Sequence, residues 1–174
     1  MTKRKVEPLV GKHCALRLIE PRDLETLRRW RNQDSIRSWF VHSDVISPEQ
    51  QAEWWNAYKD RDDDFVFIIE EIGEQRAPVG AVSIYHVDPG GRRAEYGRLM
   101  IGEAQARGKG LGRDATRLAF RFAFDVLELK EVYLEVFEDN APAIRIYEQC
   151  GFELTGKKDR MVLMRICSPK ADPE

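Results

Sequence analysis

"ARGKGLGRDA", Ala106 to Ala115, sets three glycines among three cations, Arg107, Lys109 and Arg113. An apolar run, Leu99-Met100-Ile101, precedes it. After it Leu111, Ala115, Leu118, Phe122 and Val126 recur at helical spacing, with Arg113, Arg117 and Arg121 on another face. The order is strand, glycine loop, helix. There, unpartnered backbone N–H groups and the positive end of the helix dipole face an anion. Glycine lacks the Cβ that would hold the main chain away from phosphate oxygens. The same residues would equally suit a turn that only joins a strand to a helix and leaves its cations in water.

Three phosphate-binding patterns compete for this loop. A P-loop requires G-x-x-x-x-G-K-[ST], and no Lys-Ser or Lys-Thr pair follows these glycines. A dinucleotide fingerprint requires G-x-G-x-x-G, and Arg113 stands where the third glycine belongs. Glu135, farther along at a strand end, could imitate the acidic ribose ligand, yet too little chain follows to build a nucleotide-binding sheet. The third pattern, [RQ]-x-x-G-x-[GA], is met by Arg107, Gly110 and Gly112.

Upstream, Ala15 to Ile19 alternates like a strand, and Pro21 opens a helix to about Asn32 with Leu24, Leu27 and Trp30 on one face. Ser47-Pro48-Glu49-Gln50 has the form of a capping box, starting a helix that carries Ala52, Trp55 and Tyr58. "FVFIIE", "VGAVSIYHV" and "RAEYGRLMIG" suit strands joined by short turns. Downstream come the strand "EVYLEVF", then a helix capped by Asn140, with Pro142 in its first turn and Gly151 as its stop. "FELTG" and "RMVLMRI" make a final pair of strands. The order β-α-α-β-β-β-α-β-α-β-β predicts a mixed α/β chain.

Composition narrows the class. A chain of 174 residues with 43% hydrophobic and 33% charged residues is expected to be one globular domain over 1–174, its core at 14–167 and its polar tail "SPKADPE" frayed. A net charge of −2 gives no global basic field, so nucleic acid is not an expected partner. No apolar run nears the ~20 residues of a membrane span, so no membrane partner is expected either. Cys14, Cys150 and Cys167 lack CxxC spacing, and His13, His42 and His86 are scattered, which predicts no metal and a reducing cytoplasm.

Tyr133 to Gly156 decides between the patterns. "YLEVFEDNAPAIRIYEQCGFELTG" contains N-x-x-A-x-x-x-Y-x-x-x-G-F, met by Asn140, Ala143, Tyr147, Gly151 and Phe152. Together with the Arg107–Gly112 loop, "RLIEPRDLE" and "PVGAVSIY", it closely resembles the GNAT superfamily of N-acetyltransferases, over roughly Leu16 to Ile166. The resemblance extends to the branch that acts on ribosomal-protein N-termini or amino sugars. It implies an α/β (α+β) GNAT fold: a twisted, mixed, mostly antiparallel sheet flanked by helices. Counted from Ala15, the fourth and fifth strands ("EYGRLMIG" and "EVYLEVF") would run parallel and splay apart. Acetyl-CoA, the implied co-substrate, would lie in that gap. Its pantetheine arm would pair with Leu99, Met100 and Ile101, and its diphosphate would rest on Arg107, Gly108, Lys109, Gly110, Leu111, Gly112 and Arg113. Asn140 would cap its helix and also bond the arm or a bound water. Gly97 is a site for a bulge or a close approach, which would free backbone groups for a ligand.

Acetyl transfer to an amine needs a neutral nucleophile, donors for the oxyanion and a proton for the departing thiolate. The resemblance implies direct attack in a ternary complex, with Tyr147 facing the coenzyme sulfur. Cys150 suits packing rather than nucleophilic catalysis. Glu135 alternates with Val132, Leu134 and Val136, so it points away from the face they bury. The resemblance makes it a candidate base acting through water, and Glu95 could serve similarly. Each carboxylate also suits a surface charge. All four tryptophans, Trp30, Trp39, Trp54 and Trp55, fall in the region that would choose the acceptor. Aromatic faces there can stack on sugars or enclose amines. Trp39, His42 and Trp54 are the candidate acceptor contacts, whereas Trp30 and Trp55 suit packing onto the sheet. The pattern R-N-x-x-x-I-R-x-W-F, Arg31 to Phe40, resembles enzymes acting on nucleotide-linked amino sugars and on ribosomal-protein N-termini. The preferred acceptor is a small amine such as an amino sugar, with a protein α-amine as the alternative. A silent acyl-CoA-binding module could dispense with Tyr147 and the carboxylates, which this chain keeps. Relatives of this kind are often dimers, so a homodimer is an expected partner state.

Overall fold

The computed structural model describes residues 5–170. Among them eight strands form one sheet: β1 (Leu9–Val10), β2 (Cys14–Leu18), β3 (Phe65–Glu71), β4 (Ala77–Asp88), β5 (Arg93–Ile101), β6 (Glu131–Phe137), β7 (Glu153–Lys158) and β8 (Met161–Cys167). Their order is β1-β2-β3-β4-β5-β6-β8-β7. Every neighbouring pair is antiparallel except β5 and β6. Helices α1 (Leu24–Arg31), α2 (Asp34–Arg37) and α3 (Pro48–Tyr58) lie between β2 and β3 in the chain. Helix α4 (Leu111–Arg121) links β5 to β6, and α5 (Ala141–Gln149) links β6 to β7.

Strand periodicity distributes the apolar residues over two faces. Along β3, Phe65, Phe67 and Ile69 join Val82 and Ile84 of β4 in a core covered by α4 and α5. Val66 and Ile68, on the opposite face, join Ala81, Met100, Trp30, Ile36 and Tyr58 under α1 to α3. Burial on both faces explains why "FVFII" reads as a continuous apolar run. Phe122 sits edge-on to both Phe65 and Phe67 at 5.0 Å. Such ring pairs contribute about 0.5–1.5 kcal/mol each beyond their buried area.

Three short details depart from the sequence expectation. Pro21–Asp23 is a 3₁₀ turn rather than the first turn of α1. Arg17 donates to both Asp23 oxygens, at 2.7 and 2.8 Å, and pairs with Glu70, which pins that turn to the sheet. The helix expected over Leu111 to Val126 ends at Arg121, and a wider turn with a Leu127 N–H to Phe122 carbonyl bond completes it. That widening carries Phe122 and Ala123, adjacent in sequence, both into the core. The start of the expected frayed tail is docked: Ser168 N–H donates to the Lys130 carbonyl and Lys170 pairs with Asp125. Residues 171–174 of that tail lie outside the described residues. Among the described residues no helix is long and apolar enough to cross a membrane.

Candidate active site

The parallel pair β5–β6 holds register over only three residues, Arg93–Glu95 against Glu131–Tyr133. Beyond Glu95 and Tyr133 the strands part, and a cleft of about 550 Å³ opens beside them. One wall is Leu99, Met100 and Ile101 of β5; the other is Asn140 with Pro142, Ala143 and Ile146 of α5. Its floor is the glycine loop with the start of α4, and Ile36, Trp39 and Phe40 close one end.

The glycine loop is shaped by backbone conformation. Gly108 has φ +76° and Gly110 φ +79°, values that side-chain-bearing residues rarely adopt. Gly110 is the residue that starts α4, and the first helical bond runs from Asp114 N–H to its carbonyl at 3.1 Å. The N–H groups of Leu111, Gly112 and Arg113 precede that bond and stand at the positive end of the helix. The cations divide their labour differently from the sequence expectation. Arg107 braces the loop, donating to the Ile101 carbonyl and to Gln33 Oε1, each at 3.0 Å. Lys109 pairs with Glu71 at 2.9 Å. The Lys109 charge is thus matched by a carboxylate, whereas Arg107 rests on neutral oxygens and keeps its charge. Arg107 and Arg113 have no carboxylate partner among the described residues, so their charges and the main-chain amides carry most of the loop's capacity for an anion.

Behind the cleft, Thr116 Oγ1 donates to the Gly112 carbonyl at 2.7 Å and so accepts from the Tyr96 hydroxyl at 2.6 Å. This chain ties the loop to β5 one residue past the parting point. Tyr96 meets Tyr147 of α5 edge-on at 5.6 Å. Tyr147 is only 7% exposed, next in sequence to the cleft-lining Ile146, and it packs against Phe152 as well. Burial raises its hydroxyl well above the ordinary tyrosine range, so it stays protonated. Asn140 Oδ1 accepts from Ala143 N–H, and Gly151 ends the helix with φ +99°.

On the opposite face, Glu95 stands at the parting point. Its Oε1 accepts from the Tyr85 hydroxyl and its Oε2 pairs with His86 Nδ1, both at 2.9 Å. Tyr133 is its register partner across β6, and burial followed by the Glu95 charge raises the Tyr133 hydroxyl. Glu135 is exposed on the same face of β6, two residues beyond Tyr133. Tyr85, His86 and Tyr133 had no sequence signal of their own, since strand pairing brings them to Glu95. Of the aromatic candidates, Trp39 lines the cleft at 42% exposure, and Phe40 joins it. His42 is exposed on the same loop, its carbonyl accepting from Arg31. Trp54 is stacked on Tyr58 at 4.7 Å and does not line the cleft. The predicted bulge is present, but Arg98, not Gly97, takes the left-handed conformation.

A family model described as "Acetyltransferase (GNAT) domain" matches residues 13–153. The chain belongs to the GNAT acetyltransferases. Spermidine N(1)-acetyltransferase of Escherichia coli K12 is 31% identical over 142 residues, covering 82% of this chain and 74% of that protein. An N-acetyltransferase 9-like protein of Caenorhabditis briggsae is 29% identical over 153 residues, 83% of this chain and 77% of its own. Among solved structures, spermidine N-acetyltransferase of Vibrio cholerae in complex with CoA and spermine superposes with a TM-score of 0.81 at 25% identity, covering 89% of this chain and 95% of that one. This GNAT protein is an acetyl-CoA-dependent N-acetyltransferase. The cleft fits that co-substrate, with free amides at one end and an apolar channel between β5 and α5. Among the described residues no group of three or more His, Cys, Asp or Glu side chains could hold a metal ion.

Proposed function

We propose that this acetyltransferase modifies a primary amine of a flexible small polyamine, with Glu95 as base and Tyr147 as proton donor. The observation that supports it is the parting of β5 and β6 after Glu95, with a carboxylate where the strands separate and the cleft running along β5 beyond it. The thioester supplies the acetyl group. Amides of Gly108 to Arg113 hold its diphosphate and the β5 backbone at Leu99–Ile101 holds its arm. The amine gives its proton to Glu95; a C–N bond forms as the C–S bond breaks; Tyr147 protonates the departing sulfur. Glu135, on the same face, attracts the cationic remainder of the acceptor. The names of the E. coli and V. cholerae relatives support the polyamine over the amino sugar expected from Arg31 to Phe40, a class that none of the relatives described here names. A protein amine is a second reading, favoured by the 27% identical alpha/beta-tubulin-N-acetyltransferase 9 of Drosophila melanogaster, whose name gives a protein acceptor.

Thiol release from acetyl-CoA against spermidine, glucosamine and a peptide with a free N-terminus separates the three. Spermidine should give the highest kcat/KM, by at least tenfold. Turnover led by the peptide or the amino sugar would overturn the polyamine assignment while leaving the acetyl-CoA site intact.

A further inference from the structure

Glu95 is held from one side by Tyr85 of the neighbouring strand, and Tyr85 is itself confined. A Cβ on Gly97 would lie 3.0 Å from the Tyr85 hydroxyl, a tight contact that the hydroxyl could relieve only by giving a few tenths of an ångström. The guanidinium of Arg98 lies 4.0 Å over the Tyr85 ring. Arg98 in turn donates to both oxygens of Asp64, at 3.0 and 3.1 Å, and Asp64 is only 3% exposed. A buried carboxylate is held by such a partner.

The backbone of Arg98 does separate work. Gly97 pairs with Ser83 and Met100 with Ala81, so β5 spends three steps where β4 spends two. The extra residue sits at Arg98–Leu99, and Arg98 takes φ +55°. Such strain in a non-glycine residue persists only where its surroundings impose it. The bulge draws Leu99 out of the ladder and onto the cleft wall. One residue therefore shapes the strand that faces the coenzyme arm and anchors the ring that holds the carboxylate.

We propose that Arg98 is a positioning residue that couples the two halves of the site, with Asp64 as its anchor and Tyr85 as the arm through which it holds Glu95. The backbone of Arg98 sets the coenzyme wall, and its side chain sets the base. Burial, and then the Glu95 charge, keep the Tyr85 hydroxyl protonated and thus a donor. The inference rests on Glu95 acting as the base, as proposed above.

Glycine adopts positive φ freely, so Arg98→Gly keeps the bulge and removes only the side chain. Tyr85→Phe keeps the ring and removes the hydroxyl. Both variants should bind acetyl-CoA within about twofold of wild type by calorimetry and lose kcat by about 10- to 100-fold, as displaced catalytic groups do. Because both act through the same contact, the double variant should be no slower than the slower single. Arg98→Met keeps the strained backbone without its anchor, so it should lose coenzyme affinity as well. Gly97→Ala, which presses on the Tyr85 hydroxyl, reports on the same contact should Arg98→Gly fail to fold. Wild-type kcat in Tyr85→Phe and Gly97→Ala, or single effects that multiply in the double variant, would overturn the coupling. Full turnover in Glu95→Gln would instead remove the base assignment, and the coupling with it. A slow Glu95→Gln beside fast Tyr85→Phe would remove the coupling alone.

Discussion

Gly110→Ala separates torsional from steric causes in the coenzyme loop. At Gly110 φ is +79°, and a Cβ there would meet only the Arg113 Nη2 tip, at an ordinary 3.5 Å. The whole cost is therefore torsional, about 1–2 kcal/mol for an L residue in the left-handed region. That energy has two destinations. If the loop keeps its shape, stability falls by that amount, and for a chain of this length Tm drops by about 2–8 °C. If the loop relaxes, the amides of Leu111 to Arg113 turn from the cleft, and re-forming them on binding weakens acetyl-CoA affinity by about 5- to 30-fold. The two losses should sum to about 1–2 kcal/mol. Gly112→Ala is the control. Its φ is ordinary and its Cβ would lie 3.5 Å from Ile146 Cδ1 and 3.7 Å from Leu99 Cδ2, both ordinary contacts. It should gain about 0.4–1 kcal/mol by restricting the unfolded chain, so a stability loss in Gly110→Ala is not the effect of a Cβ alone. Calorimetric melting and titration with acetyl-CoA read both variants. Wild-type Tm together with wild-type affinity in Gly110→Ala would refute the conformational account of the loop.

Tyr147→Phe should lower kcat by about 10²-fold, in the range of acid–base contributions, with acetyl-CoA affinity little changed; unchanged turnover would remove Tyr147 from the chemistry. Burial raises the hydroxyls of all five tyrosines, at positions 58, 85, 96, 133 and 147. The unfolded chain ionises near pH ~10, so this contribution to stability is whole below that pH and is lost as pH climbs through the raised values. Tyrosinate absorbance should then rise together with alkaline unfolding, and a smooth titration of the folded chain would contradict it. Arg17→Met leaves Asp23 and Glu70 uncompensated at the β2–α1 junction and should cost about 3–5 kcal/mol in chemical denaturation; a loss under 1 kcal/mol would show that solvent reaches the pair.

Local chemistry made much of this molecule readable in its sequence. The Ser47–Gln50 capping box forms as written, with Ser47 Oγ accepting from Gln50 N–H and Gln50 Oε1 from Ser47 N–H. Asn140 and Gly151 bound α5, and the parting of β5 from β6 falls after Glu95. What escaped depends on partners distant in the chain. Lys109 looked like a free cation because Glu71 is far away in sequence. Gly97 is the close approach, to Tyr85, and the bulge follows it at Arg98–Leu99, where Asp64, distant in the chain, holds Arg98 in place. β1 and α2 are too short to show periodicity. Trp54 has the composition of an acceptor contact, yet its ring is used on Tyr58.

A crystal structure with bound coenzyme A measures the central geometry directly. Diphosphate oxygens should lie about 2.7–3.2 Å from main-chain nitrogens between Gly108 and Arg113, and the sulfur should reach the point where β5 leaves β6, between Glu95 and Tyr147. A diphosphate held by side chains alone, or a sulfur emerging away from that point, would contradict the account.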